Sequence, residues 1–485
     1  MNKIKEKYYD LSPVLRAMVW FTICNILTAG LSFISAPVFT RLLPEDEYGL
    51  LAIMITYEQL FVIFGTWEIQ IGAYSKGYFN YKTELPSFTK CTILFVNLLT
   101  LLLFVIVLFL NREVSSITGI SAISLGCLFL YLFFMPSYQA WLVRKRTEYD
   151  YRRAVSITLL YSVLNIAIPI CALLLINKTA NVKFSAQLLT ASFFCFFFYI
   201  AAFKEKSNVL PRYHYKDYCR FLIAYQAPLV LHSLSYLALN QADRIMIGEM
   251  IGNKETAFYS VAYSLAMAIT IIQSSINQAV GPWRYHKLED KEYGQLEKNS
   301  YILLCALGLM IIAYVLIAPE LMQVLFTDSY YESVWCIPSI SAGSFFMFMY
   351  SIFVTVETYY EKTMYVMYVT LICGVINILL NYIFIGKYGY IASAYTTLFS
   401  YMLFALFHFI MMRKVCRVCI PGIKLFKPSY LILISLIFIV AVIIITILYQ
   451  SILIRYMILL AVGACLFYKR DLIIKTIAMT RTNNS

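Results

Sequence analysis

The sequence predicts an all-α integral membrane protein with about fourteen transmembrane helices, and three observations support this fold class. Of its 485 residues, 61% are hydrophobic and 13% are charged, about half the charged fraction of a typical soluble domain. Apolar stretches of about 18 to 25 residues recur along the whole chain, and each is long enough to cross a hydrocarbon core as a helix. These stretches lack the two-residue alternation of membrane β-barrel strands.

The predicted spans follow the apolar stretches in chain order, and polar turns separate them. They cover residues 15–40, 48–72, 88–110, 118–142, 154–176, 184–203, 221–248, 257–282, 299–318, 335–358, 364–385, 389–412, 429–449 and 452–468.

The basic residues of the loops predict how the chain is oriented. Of the 39 Lys and Arg residues, only eight are assigned to one side of the membrane: Arg41, Arg112, Lys178, Lys183, Arg244, Lys254, Lys387 and Arg455. Because basic loops remain in the cytoplasm, we predict that both termini are cytoplasmic. This rule also accounts for the net charge of +13, so we predict no nucleic-acid partner.

A weak internal repeat predicts the domain organisation. The first and seventh spans both begin on the cytoplasmic side, and they end outside near Arg41 and Arg244, respectively. A six-helix period preserves the orientation of both copies, as in parallel-repeat transporters. We predict one six-helix bundle over residues 1–216 and a second over 217–415. Residues 416–485 then form two additional transmembrane helices and a cytoplasmic tail.

Ionisable side chains inside spans are costly in lipid, so they mark candidate sites. Glu58 lies near the middle of the second span, where it could bind a coupling proton or cation, or brace two helices. In the seventh span, His232, Tyr236, Asn240 and Asp243 form one polar stripe along the helix. The stripe predicts a face that lines a cavity. We predict that the ion-coupling residues are Glu58, His232 and Asp243.

Other polar groups suggest ligand contacts. Gln273 and Asn277 are four residues apart and share a helix face, where they could join helices or bind a polar ligand. Arg41 and Arg244 could bind an anion such as a diphosphate, although Asp243 and Arg244 could instead cap a helix end. The predicted substrate-binding residues are Arg41, Tyr236, Asn240, Arg244, Gln273 and Asn277. Asn377 and Asn381 fit helix packing better, and Glu357 fits an interfacial position.

Several features argue against an enzyme. The outward loops are short, no P-loop motif is present, and only His232 of the four histidines is assigned to a span. Cys416 and Cys419 form a lone CxxC without the further ligands that a zinc site needs. We therefore expect no enzymatic activity, no cofactor and no bound metal.

Three segments resemble a known family: Pro37–Gly49, Gln241–Gly248 and Thr256–Ser260. They are similar to the polysaccharide (O-antigen/capsule, Wzx-type) flippases of the multidrug/oligosaccharidyl-lipid/polysaccharide exporter superfamily. The resemblance implies a MATE-like fold in which two six-helix bundles, related by pseudo-twofold symmetry, enclose a cavity that opens alternately to each side. It also implies a location in the bacterial inner membrane.

The resemblance also implies the cargo, an undecaprenyl-diphosphate-linked oligosaccharide such as an O-antigen or capsule repeat unit. The family implies contact with membrane lipid, coupling to H⁺ or Na⁺, and possible polysaccharide-assembly partners. Few basic residues lie deep in the predicted spans, which favours a neutral or weakly charged glycan. Two alternatives remain: a multidrug/cation antiporter of the same superfamily, and a membrane oligosaccharide polymerase, which the short outward loops disfavour.

Overall fold

A computed structural model describes residues 13–206, 215–468 and 470. Within this part of the chain, sixteen α-helices are joined by short turns. Thirteen of the helices are long and apolar enough to cross a membrane, which confirms the predicted all-α membrane fold. The fourteenth predicted span corresponds to a shorter apolar helix of 17 residues, Ile452–Tyr468.

The helices are labelled in chain order. The first eight are α1 (Pro13–Leu42), α2 (Glu45–Thr66), α3 (Ser75–Asn80), α4 (Leu85–Phe109), α5 (Asn111–Thr118), α6 (Ala122–Thr147), α7 (Tyr151–Leu175) and α8 (Ala180–Lys204). The remaining eight are α9 (Tyr215–Met250), α10 (Asn253–Glu289), α11 (Tyr293–Leu325), α12 (Ile337–Tyr359), α13 (Thr363–Tyr388), α14 (Tyr390–Cys419), α15 (Pro428–Ile447) and α16 (Ile452–Tyr468).

The chain divides into two compact units, residues 1–237 and 238–485, and the boundary falls within α9. Helices pack in a similar order in each unit. In the first unit α6 packs against α8, and α8 against α7; in the second unit α12 packs against α14, and α14 against α13. The same pairs of neighbours therefore recur six spans later along the chain.

The second predicted span is interrupted near its end. Helix α2 ends at Thr66, and Trp67 and Glu68 both have φ of 51°, a left-handed conformation that is unusual for residues other than glycine. A π-helical turn, Gln70–Tyr74, then leads into α3. The break redirects the chain, so the predicted span 48–72 is one helix only as far as Thr66.

The last two helices are integrated into the second unit. The ring of Phe438 on α15 stacks on Phe345 of α12 with centroids 4.1 Å apart, and both rings pack over Gly308 of α11. On α16, both terminal nitrogens of Arg455 bind the Glu320 carboxylate of α11, at 2.8 and 2.6 Å. A bidentate ion pair and an aromatic stack therefore fix α15 and α16 to α11 and α12.

Candidate functional site

An acid and a base meet inside the first unit. Glu58 of α2 interacts electrostatically with Lys183, which lies in the first turn of α8. The Lys183 side chain is 6% exposed; it donates to the amide oxygen of Gln187, and its ammonium lies 5.1 Å from the ring centroid of Phe39. Lys183 lies just before the predicted span 184–203, but α8 begins at Ala180, so this cation belongs to the helix bundle.

Two tyrosines complete the polar centre around Glu58. Tyr131 of α6 and Tyr161 of α7 both interact electrostatically with Glu58. An acid, a base and phenolic hydroxyls in an apolar bundle form a group that can hold or exchange a proton, because each partner stabilises a different charge state.

The break after α2 is held by side chains from α9. Gln226, which is 2% exposed, accepts a hydrogen bond from the Ala73 amide at 2.9 Å and donates to the Trp67 carbonyl at 2.8 Å. Ser233 donates to the Glu68 carboxylate at 2.5 Å. The unpaired backbone groups at the break are thereby satisfied by a neighbouring helix, as membrane interiors require.

The polar stripe of α9 has two distinct parts. In the first unit, the rings of His232 and Tyr236 lie 6.4 Å apart, and Tyr236 is 44% exposed. In the second unit, Asn240 accepts a hydrogen bond from the Tyr401 hydroxyl of α14 at 2.6 Å. Asp243 is 2% exposed. The four residues lie on one helix as predicted, but the exposed fraction of their side chains falls along it, from Tyr236 to Asp243.

Asp243 and Arg244 belong to a buried cluster. Asp243 accepts a hydrogen bond from Tyr259 of α10, and its carboxylate lies 3.6 Å from the Arg244 guanidinium. Arg244 also donates to Gln241 at 2.5 Å and lies over the Tyr263 ring at 4.3 Å. Helix α9 continues to Met250, so this pair is inside the helix and does not cap its end.

A second buried arginine, Arg284 of α10, has a different environment. One terminal nitrogen donates to Asn277 at 3.1 Å and to Ser351 of α12 at 3.2 Å, and Ser351 itself donates to Asn277 at 2.7 Å. The residue is 1% exposed, and its Nε and second terminal nitrogen have no hydrogen-bond partner. No carboxylate pairs with Arg284 within the described ranges. Two nitrogens of its guanidinium are therefore buried without a hydrogen-bond acceptor.

The other residues predicted to bind the ligand, Arg41 and Gln273, lie on different helices. Arg41 lies in the last turn of α1 and is exposed. Gln273 is buried one turn before Asn277 on α10. Asn277 is thus the only one of the predicted substrate-binding residues that contacts Arg284 in the described structure.

Two further polar clusters link α14 to its neighbours. Asn377 of α13 donates to Thr397 and Ser400, both at 3.2 Å, which is the packing role expected for it. Glu357 of α12 and His408 of α14 are both fully buried, with His408 Nδ1 3.0 and 3.1 Å from the two carboxylate oxygens. Glu357 lies two residues before the end of α12, where a histidine from another helix buries it; its interfacial depth stays a prediction.

Sequence reasoning missed Lys183, Arg284 and His408. The first two were placed in loops because each lies just beyond an apolar stretch, although the helices extend past those stretches. His408 falls inside the predicted span 389–412, so the expectation that His232 is the only histidine in a span is wrong, and the position of His408 in an apolar helix is the available signal. Within the residues that the structure describes, no group of three or more His, Cys, Asp or Glu side chains could hold a metal ion.

Solved structures with a similar fold are membrane transporters. The lipid II flippase MurJ, in an inward closed conformation, matches over 94% of this chain and 100% of its own, with a TM-score of 0.67 and 15% identity. An inward-facing multidrug resistance MATE family transporter of the MOP superfamily matches over 84% and 96%, with a TM-score of 0.56 and 15% identity. This chain therefore has the fold of a MOP-superfamily transporter.

Sequence comparisons then give the family. A family model described as polysaccharide biosynthesis protein matches residues 14–285, which is more than half of the chain, and a MatE model matches residues 228–383. An Lsg locus protein of Haemophilus influenzae is 27% identical over 132 residues, a match that covers 26% of this chain and 32% of the relative. The chain belongs to the polysaccharide biosynthesis protein family, and its resemblance to the polysaccharide flippases of the MOP superfamily is confirmed.

Proposed function

We propose that this protein flips an undecaprenyl-diphosphate-linked oligosaccharide from the cytoplasmic to the outer leaflet of the bacterial inner membrane by alternating access. The family and the MurJ-like fold support a transporter for lipid-linked sugar. The distribution of basic residues supports cytoplasmic termini. The protein acts on the position of its cargo and not on its covalent bonds, so we propose a transporter and not an enzyme.

The observation that carries the proposal is the unpaired Arg284 guanidinium. A buried cation without an anion is costly, by several kcal/mol, and an arginine with open donors is well suited to bind phosphate oxygens in pairs. The cargo supplies this anion as its diphosphate. Asn277 and Ser351 hold the guanidinium at one nitrogen, which leaves the other two for the ligand.

An amide and a tyrosine are proposed to contact the glycan. Gln273 lies one turn from Asn277 on the same helix, and in the first unit Tyr236 of α9 has a ring that is 44% exposed. Amide groups hydrogen-bond sugar hydroxyls, and aromatic rings stack on sugar faces. Arg244 is already paired with Asp243, so we propose that it shapes the cavity wall. Arg41, exposed at the end of α1, is proposed to contact the anionic cargo at the outer side.

The proposed ion coupling uses the acids of each unit. Glu58 and its partner Lys183 form a pair whose attraction is lost when a proton neutralises the carboxylate. Asp243 is held in the same way by Arg244 and Tyr259. Binding of H⁺ or Na⁺ changes transport only if the ion binds the two access states with different affinity. We propose Glu58 and Asp243 as these sites, with His232 as a secondary proton acceptor.

Complementation tests the proposal. The wild-type chain, Arg284→Gln and Arg153→Gln are expressed in a bacterium that lacks its own O-antigen flippase, and surface polysaccharide is quantified on a blot. Arg153 is a matched control because its side chain is 73% exposed. A charge-assisted hydrogen bond contributes about 1.5–3 kcal/mol, so Arg284→Gln should lower export about 10- to 100-fold. Equal export by Arg284→Gln and wild type, at equal abundance in the membrane, refutes the role of Arg284.

A second candidate function is multidrug/cation antiport, which the MatE match over residues 228–383 favours. It predicts efflux of a cationic dye from cells that lack their own exporters. Dye efflux without any restored surface glycan would replace the flippase proposal with this one. Restored glycan without efflux would exclude the antiporter.

A further inference from the structure

The Glu357–His408 pair is a further buried acid–base pair, and the transport model above does not use it. Both side chains are fully buried, and His408 Nδ1 lies midway between the two carboxylate oxygens. The rings of Tyr350 and Phe404 pack against the imidazole, with centroids 4.7 Å from it. The pair is enclosed by aromatic side chains and joins α12 to α14.

The charge of this pair depends on how many protons it holds. With one titrating proton shared between carboxylate and imidazole the pair is neutral, and without that proton it carries one negative charge. A net charge in a dry apolar site costs several kcal/mol. While the helices are packed as described, the neutral state with one proton is therefore favoured.

One atom of the pair is left open. His408 Nε2 has no hydrogen-bond partner in the described structure, whereas Nδ1 is committed to Glu357. An imidazole nitrogen without a partner is a position where water can bind once the site becomes accessible. The geometry thus provides both a place to keep a proton and an atom through which to exchange it.

Titratable groups on the surrounding helices are engaged elsewhere. On α10, Arg284 binds Asn277 and Ser351, and the Tyr285 hydroxyl bonds Thr358 at 2.8 Å. The Cys416 thiol of α14 contacts Met412. The Lys414 ammonium, also on α14, lies over the ring of Tyr365 on α13.

The charged groups of the other two neighbouring helices are engaged elsewhere or exposed. On α11, Glu297 accepts from the Tyr301 hydroxyl at 2.9 Å, Lys298 is exposed, and Glu320 binds Arg455. Helix α15 carries no Asp, Glu, Lys, Arg or His. His408 is the ionisable partner of Glu357 among the described residues.

We infer that Glu357 and His408 form a proton-binding site, which holds one proton while α12 and α14 are closed around it and exchanges that proton with water when they open. In uptake, a hydronium ion transfers its proton to Nε2 of His408 and leaves as water, while the Nδ1 proton passes to the Glu357 carboxylate. The pair then consists of a neutral imidazole and a protonated carboxyl group, and its net charge changes from −1 to zero. Release is the reverse reaction. The use of this proton to drive transport rests on the proposed function, whereas the binding of the proton does not.

Infrared difference spectroscopy on the purified full-length protein in lipid nanodiscs tests the inference directly. The wild-type protein is titrated with acid and base, and the carbonyl stretch of protonated carboxyl groups is followed. Glu357→Gln should remove one titrating component, and Glu289→Gln, a control at an acid that is 71% exposed, should leave that buried component in place. In His408→Asn the Glu357 carboxyl should stay protonated throughout, because no cation remains to stabilise its charge.

If the buried component is absent from the wild-type titration, or persists in Glu357→Gln, the inference is wrong. A buried component that titrates in the same way in His408→Asn also overturns it, because Glu357 would then bind its proton without the histidine.

Coupling is measured separately, in proteoliposomes that contain a pH-sensitive dye and receive the lipid-linked repeat unit extracted from the rescued strain. Wild type should move protons with the cargo, and Glu357→Gln should lose most of that proton movement. Equal proton movement in the variant overturns the use of this site in transport. A wild-type titration as expected, with no cargo movement by the wild type, refutes the proposed function and leaves the proton site standing.

Discussion

Replacing Gln226 by leucine should destabilise the first unit. The Gln226 amide bridges both sides of the break after α2: it accepts from the Ala73 amide and donates to the Trp67 carbonyl. Leucine has a similar volume, so packing is largely retained while both hydrogen bonds are lost. The fit is close, since a Cβ placed on Gly72 would lie 2.4 Å from the Gln226 side-chain oxygen.

The expected loss of stability follows from two backbone groups, the Ala73 N–H and the Trp67 carbonyl, which lose their hydrogen-bond partner in Gln226→Leu. Each buried group without a partner costs about 1–3 kcal/mol, so the pair predicts a loss of about 2–6 kcal/mol in the free energy of unfolding. Gln226 is 2% exposed, and water can replace little of the lost bonding at that burial. Ser233→Ala is the matched control, because it removes one bond to a Glu68 side chain that is only partly buried. Its cost should be below about 1 kcal/mol.

Thermal unfolding in lipid nanodiscs measures both variants, with a fluorogenic thiol reagent as the reporter. Cys91 of the first unit is buried, and its sulfur lies 3.8 Å from that of Cys219, so in a background that keeps Cys91 as its single cysteine, labelling reports opening of α4 against α9. The reasoning is refuted if Gln226→Leu melts within the error of wild type. It is also refuted if Gln226→Leu and Ser233→Ala lose the same stability.

Three further predictions concern packing and coupling. Arg455→Met removes the ion pair that binds α16 to α11, and it should raise cleavage of the C-terminal helix in limited proteolysis several-fold; unchanged cleavage would show that the pair does not anchor α16. Gly343→Val places a Cβ 2.7 Å from the Tyr401 ring, so it should lower the abundance of the protein in the membrane. Gly126→Val is the control, because a Cβ at Gly126 meets open space, and its abundance should equal that of wild type. Equal abundance of the two variants would contradict this packing. Glu58→Gln should slow ion-driven export in the complementation assay about 10-fold, which corresponds to about 1.4 kcal/mol, at normal abundance. Unaltered export would exclude Glu58 from coupling.

Most of the fold could be predicted from the sequence, because an apolar stretch in lipid has few alternatives to a helix. The exceptions have physical causes. The helices that carry Lys183 and Arg284 continue beyond the apolar stretches that predicted them. A cation inside a bundle is stabilised by partners from distant helices, and the sequence around the cation does not reveal those partners. The break at Trp67 and Glu68 contains neither glycine nor proline, so no local signal marks it. Its stability comes from Gln226, more than 150 residues away in sequence.

The candidate site was predictable in part for similar reasons. The stripe on α9 and the pair Gln273 and Asn277 follow from helical spacing alone. The buried state of Asp243 depends on Tyr259 from the next helix, and the role of Asn277 depends on Arg284 and Ser351. Spacing identifies which polar residues share a face, but only the packed structure shows which of them are already paired.

The stack of Phe438 on Phe345 has a mechanical consequence. Gly308 leaves a shallow notch in α11, and both rings lie 3.4 Å from the position that a Cβ would take there. Together with Arg455, this notch prevents the last two helices from sliding along their neighbours. A force applied at the C-terminal end of the chain, for example through a fused protein or a surface attachment, would therefore be transmitted from α15 and α16 to α11 and α12. Force measurements from that end should accordingly report the unfolding of the second unit as a whole.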